Sequence, residues 1–133
     1  MIEWGLQQAV YTVLSGAPLG VQGVYDIAPQ AADGGAGGAF PYVTIGRTVI
    51  TELDTQTTNG FAAQMRIHTY SRSGSMKECK VIQGAVYTAL HRTFLSITGF
   101  NNFSLLREDT DCRSEADGKI HGVCEYRALI ETA

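Results

Sequence analysis

Between residues 61 and 68 the chain alternates cleanly: Phe61, Ala63, Met65 and Ile67 share one side of an extended backbone, with Gln64, Arg66 and His68 on the other. Successive strand side chains point to opposite faces, so this segment fits a sheet with one covered face and one open face. Such alternation marks an antiparallel sheet, because parallel strands are buried on both faces and read as continuous apolar runs. The rest of the chain must therefore supply something apolar to cover one face.

Two segments meet that need. Ile2, Leu6, Ala9, Val10, Val13 and Leu14 recur at helical spacing and predict an amphipathic helix over residues 2–15, ended by Gly16-Ala17-Pro18. Further on, Cys79, Ile82, Val86, Ala89, Leu90 and Thr93 form one stripe, which predicts a helix over residues 76–93. Before it, Ser75-Met76-Lys77-Glu78 has the spacing of a capping box, in which serine and glutamate satisfy each other's backbone amides. Burial of Ile82, Val86 and Leu90 against the sheet contributes about 1.5–3 kcal/mol each before entropy is counted.

The remaining strands follow from β-branched content and turn residues. Val24 to Ile27 is a short strand and Tyr42 to Ile50 a longer one, followed by a polar loop from Asp54 to Gly60. Phe103–Arg113 and Lys119–Thr132 flank Asp117-Gly118, a hairpin signal. A two-residue turn there would set Leu106 opposite Leu129 and Glu108 opposite Arg127. Asp109, Asp111, Arg113, Glu115 and Asp117 gather near that turn, so the tip should project beyond the core into solvent or a partner.

Residues 28–41 differ, being rich in glycine and alanine with almost no side chain to bury, and predict a mobile loop. A phosphate-cradling loop needs a strand before it, a helix after it and usually a basic residue. Here a strand follows and no lysine or arginine is present.

At 133 residues the chain fits a single domain, 1–133, of the α+β class: a mostly antiparallel sheet with two helices packed on one face. Its net charge of −3 argues against specific nucleic acid recognition, which usually needs a basic patch. No run of eighteen apolar residues exists to span a membrane, and Met1-Ile2-Glu3-Trp4 lacks the opening of a secretory signal. Folding in a cytosol is expected, where Cys79, Cys112 and Cys124 stay reduced.

Chemistry finds little purchase. Structural zinc favours close Cys or His pairs, and the nearest, His121 and Cys124, sits in a strand where an odd offset sends the side chains to opposite faces. A one-residue bulge would bring Cys112 opposite Cys124, but a cytosolic disulfide is disfavoured. No nucleophile elbow or catalytic cysteine signature occurs, and the acidic residues near the hairpin tip read as solvated charge. Tyr25, Tyr42, Tyr70, Tyr87 and Tyr126 are scattered over separate elements, as expected for core and interface aromatics. The reading is of a protein without catalytic, cofactor or metal residues.

The ordered set of short motifs resembles the tail-completion, or tail-terminator, family of long-tailed bacteriophages and gene transfer agents. It runs from Glu3-Trp4-Gly5-Leu6-Gln7-Gln8-Ala9-Val10 through Val24-Tyr25-Asp26, Pro29 and Phe40-Pro41-Tyr42-Val43-Thr44-Ile45-Gly46 to His68-Thr69-Tyr70-Ser71-Arg72-Ser73-Gly74. It continues from Lys80-Val81-Ile82 to Ala89-Leu90-His91, then Asp117-Gly118-Lys119-Ile120-His121-Gly122 and Tyr126-Arg127-Ala128-Leu129-Ile130-Glu131. The likeness spans nearly the whole chain, apart from a longer Gly/Ala-rich insertion at residues 33–39. It implies a non-enzymatic virion protein, assembled in the host cytoplasm as a homo-oligomeric ring, usually a hexamer. Such a ring caps the tail tube protein at the head-proximal end and joins it to a head-completion or neck protein. The candidate ring contacts are Asp54, Thr57 and Asn59 in the polar loop and Asp111, Arg113 and Asp117 at the hairpin tip. The alternatives are another head-tail connector or a small-ligand-binding α+β domain.

Overall fold

Alternation along the strands decides the architecture, with the helices lying where the apolar face needs cover. The computed structural model describes residues 2–26, 40–54 and 57–133. Within them the order is α1 (Ile2–Gly16), β1 (Val24–Tyr25), β2 (Tyr42–Glu52), β3 (Gly60–Ser71), α2 (Lys77–Leu90), β4 (Ser96–Ile97), β5 (Phe100–Ser114) and β6 (Ile120–Thr132). Residues 33–39 and Ile27 lie outside the described residues.

The strands form one sheet in the order β1-β2-β3-β6-β5-β4. Every neighbouring pair is antiparallel except β1 with β2, which is parallel. This is the expected α+β arrangement. Met65, Ile67, Cys124, Tyr126, Ala128 and Ile130 are buried on the inner face, whereas Gln64 and Arg66 are exposed.

Both helices lie on that inner face. Ile2, Leu6, Ala9, Val10 and Leu14 of α1 and Ile82, Val86 and Leu90 of α2 join the strand residues in one continuous core. Helix α1 meets β1 and β2 at one margin of the sheet and β4 at the other, so the sheet curls around it. At Gly5 an added Cβ would lie 3.1 Å from Ile97 Cγ2, which shows how closely α1 approaches β4. A sheet with its natural twist can wrap a single helix in this way and bury it on several sides.

The start of α2 departs from expectation. No side chain caps it. Glu78 is engaged elsewhere, its Oε1 accepting a 2.6 Å hydrogen bond from the Ser71 hydroxyl at the end of β3. The tertiary partner displaces the local one, because a short bond between half-buried groups outweighs an exposed capping bond. The helix also stops at Leu90, short of the expected Thr93. Arg92 takes a left-handed conformation (φ 63°), and its amide donates to the Leu105 carbonyl at 2.7 Å.

The hairpin register differs too. Glu115 N donates to Lys119 O at 2.8 Å and Gly118 N to Glu115 O at 3.0 Å, which leaves a three-residue loop, Ala116-Asp117-Gly118. Gly118 takes φ 85°, the left-handed position that a loop of this length requires. Two bulges in β5, at Glu108 and Phe103, then shift the pairing further. Arg127 consequently faces Leu106, and Leu129 faces Ser104. Thr110, not Cys112, lies opposite Cys124. Bulges depend on the neighbouring elements as well as local sequence, so a turn-based register could not anticipate them.

Candidate functional site

The six candidate contacts fall into two groups at opposite ends of the sheet. Asp54, Thr57 and Asn59 are exposed in the β2–β3 connection, beside the C-terminal end of β6, where Asn59 O accepts from Thr132 N at 2.9 Å. Asp111, Arg113 and Asp117 are exposed at the other end, near the last residues of β3. By register Asp111 and Arg113 stand level with His68 and Tyr70 of β3, eight and ten residues from Gly60, roughly 25–35 Å along the strand at the usual rise per residue. The structure therefore keeps the two groups apart.

Asp117 also has local work. Its Oδ1 accepts from Lys119 N at 3.1 Å, and its Oδ2 lies 3.7 Å from Arg72 and 3.8 Å from Lys119. The Lys119 amide, together with those two cations, holds its carboxyl below the ordinary range. Asp111 offers its main-chain oxygen to the Gln83 side chain at 2.8 Å. The tip stands less clear of the core than its charge suggested. Strand β3 accompanies β6 as far as Ile120, which leaves the three-residue turn exposed beyond it.

The two margins of the sheet are treated differently. On the outer margin of β5, the Leu105 carbonyl accepts from Arg92 N, Arg107 N donates to His91 Nδ1 at 3.0 Å, and the Asp111 carbonyl is taken by Gln83. Helix α2 and the turn after it thus cover that edge. Strand β2 pairs with β1 at Val43 and Thr44, and from Gly46 to Glu52 its outer edge has no strand partner among the described residues. Leu53 N bonds across the hairpin to Gly60 O at 2.7 Å, so by alternation the amides of Thr48, Ile50 and Glu52 point outward. An open edge of this kind is a template for pairing with another chain.

A feature that the residue pattern did not reveal occupies the outer face. Tyr42, Tyr70, His121 and Arg113 are cross-strand neighbours on β2, β3, β6 and β5. Tyr42 stacks on Tyr70 at 4.9 Å between centroids, Tyr70 on His121 at 4.5 Å, and Tyr25 meets Tyr42 edge-on at 5.9 Å. Three of the five scattered tyrosines thus come together. The signal lay in register, since one row of an antiparallel sheet is invisible until the strands are aligned.

Within this row a polar chain forms. Glu115 Oε1 lies 2.9 Å from His121 Nδ1, and His121 Nε2 lies 2.8 Å from His68 Nδ1. With both imidazoles neutral, His68 donates to His121 and His121 to the carboxylate. A Cβ at Gly46 would fall 2.4 Å from His68 Nε2, so only glycine leaves room for that ring. Burial lowers the proton affinity of His68, helped by His121, Arg66 and Arg113. Burial likewise lowers that of His121, with Arg113 and Lys119 acting in the same sense and Glu115 opposing them.

A pH dependence follows with a definite sign. The unfolded histidines take up protons near the usual value of about 6.5, before the folded ones do. The chain's contribution to stability is therefore complete above that pH and is lost as pH falls through the lower folded values. Thermal melts between about pH 8 and 5 should show the midpoint falling on the acid side. The double variant His68→Gln/His121→Gln should flatten that part of the curve, while an unchanged slope would remove the histidines from the account.

Among the described residues no group of three or more His, Cys, Asp or Glu side chains has metal-holding geometry. His121 and Cys124 stand on opposite faces of β6, as their spacing required. Two clefts, of about 490 and 500 Å³, flank α1 on either side of Trp4, Gln8 and Thr12. The described residues present a β2 edge without a strand partner among them, two polar ends and a curled sheet around one helix.

The chain belongs to the family described as tail completion protein gp17, which it matches over residues 7–131. It is thus a bacteriophage tail structural protein and a virion component. No curated protein matches it significantly. Among solved structures, it superposes on a chain of a native gene transfer agent virion with a TM-score of 0.85 at 21% identity, covering 98% of this chain and 97% of the other. That likeness establishes the fold.

Proposed function

We propose that this protein is a single-domain tail terminator. Copies close into a ring, six in number, that caps the tail tube, ends its elongation and presents the surface for a head-completion or neck protein. The open β2 edge carries this reading. A cyclic assembly needs two different patches on each subunit, and an edge without a strand partner among the described residues gives one of them direction. The loop bearing Asp54, Thr57 and Asn59 continues from that edge. The hairpin end bearing Asp111, Arg113 and Asp117 lies far enough away to meet a different neighbour. On this reading assembly takes place in the host cytoplasm and the ring sits at the head-proximal end of the tail. It acts through surfaces, without a catalytic step.

Thr48→Pro tests the edge. Proline removes an outward amide yet is tolerated on an edge strand whose N–H faces solvent. Native mass spectrometry and negative-stain imaging should show rings for the parent chain and monomers for the variant, with circular dichroism unchanged. Rings that persist in the variant would rule out pairing through this edge. In the intact virus, loss of the gene should leave tails of uncontrolled length or heads without tails; normal tails would sink the terminator reading.

A further inference from the structure

The inner face near the hairpin holds a pair of thiols that neither the assembly surfaces nor the outer-face chain uses. Cys79, in the first turn of α2, is completely buried. A Cβ built on Gly122 of β6 would lie 2.5 Å from its sulfur, so Cys79 Sγ occupies the place of the side chain that Gly122 lacks. The cross-strand partner of Gly122 is Cys112 of β5. Side chains at directly opposed positions have Cβ atoms about 4.5–5.5 Å apart, so the Cys112 Cβ stands beside the place that Cys79 Sγ fills.

The third cysteine is placed differently. Cys124 lies opposite Thr110, and its sulfur is 3.3 Å from the Thr110 hydroxyl. It stands two positions along β6 from the register of Cys112, a diagonal separation of about 7–8 Å that exceeds the usual Cα span of a disulfide. Cys112 is partly exposed, whereas Cys79 and Cys124 are buried.

We propose that Cys79 and Cys112 form a latent disulfide, reduced while the chain folds and closed when it meets an oxidising medium. The site is a modification site, and its co-reactant is a small disulfide such as oxidised glutathione. In the first step the Cys112 thiolate attacks one sulfur of that disulfide and releases one glutathione thiolate. In the second, the Cys79 thiolate attacks the Cys112 sulfur of the mixed disulfide and releases the other glutathione. Two protein thiols lose two electrons and two protons, and one glutathione disulfide becomes two glutathione thiols. Burial pushes the Cys79 thiol up, so the second step is slow and should speed up as pH rises.

The bridge would fasten α2 to β5 beside the bond from Gln83 to the Asp111 carbonyl, and so lock the covered edge of the sheet. It does not depend on ring formation. The decisive experiment incubates the folded, full-length chain with oxidised glutathione at about pH 8.5, near the pKa of a free thiol. Thiols are then counted after unfolding, and peptides are mapped without reduction. The expected result is one remaining thiol, at Cys124, a linked Cys79–Cys112 peptide pair, and a melting midpoint raised by roughly 5–10 °C. The rise should be absent in Cys112→Ser and retained in Cys124→Ser. Three free thiols, a lasting glutathione adduct on Cys112, or a bridge that includes Cys124 would each overturn the proposal.

Discussion

Tyr126→Ala should lower the free energy of unfolding by about 3–5 kcal/mol, as removal of a large aromatic from a packed core does. Tyr126 is fully buried near the middle of β6, with Met65 and Arg107 as its cross-strand neighbours. Around it close the inner faces of β3 and β5 and helix α2, so little can move to fill the void. Tyr126→Phe separates ring from hydroxyl. The hydroxyl oxygen has no hydrogen-bond partner among the described residues, and burial pushes its proton affinity up. Loss of an unsatisfied buried hydroxyl should leave stability unchanged or raise it by roughly 1 kcal/mol. Urea denaturation followed by circular dichroism measures both variants. A clear loss with phenylalanine would mean that the hydroxyl is satisfied after all.

Gly122→Ala should cost about 1–3 kcal/mol, an overpacking penalty at a site without spare volume. The new methyl would lie 2.4 Å from Gln83 Nε2 and 2.5 Å from Cys79 Sγ. Gln83 cannot step aside freely, since it is buried and holds the Asp111 carbonyl at the edge of β5. The clash therefore reaches the contact that covers that edge. A double-mutant cycle with Gln83→Ala provides the check. If the close approach causes the loss, the pair should be less destabilised than the sum of the singles. Strict additivity would place the cost of Gly122→Ala elsewhere.

Much of the fold was legible in the residues because periodicity is a local property. The alternation from Phe61 to His68 and the stripes of α1 and α2 depend on which face a side chain takes, and each element carries that information itself. Prediction failed where a distant partner competed with a local one. Ser75 and Glu78 have capping-box spacing, yet Glu78 turns to Ser71 on another element. The hairpin was found, but its register was missed. A three-residue turn and the bulges at Glu108 and Phe103 each moved the pairing by one residue.

The candidate site was legible in part. Polar loops and an acidic tip can be read from composition, and Asp54, Thr57, Asn59, Asp111, Arg113 and Asp117 are all exposed. The stretch of β2 edge that no described strand pairs could not be read, because such an edge depends on what does not pair with it. Nor could the row of Tyr42, Tyr70 and His121 with its link through His68, which comes from three strands far apart in the chain.

By itself, then, the sequence determined the class of the fold, the inner faces of β3 and both helices, and the likeness to tail-completion proteins. These rest on spacing along one chain and on the order of motifs, which need no third dimension. The tertiary structure decided which edge lacks a strand partner among the described residues, which edge α2 covers, and which histidines and thiols become neighbours. Each of these is a relation between strands, set by register, and a shift of one residue would have changed it.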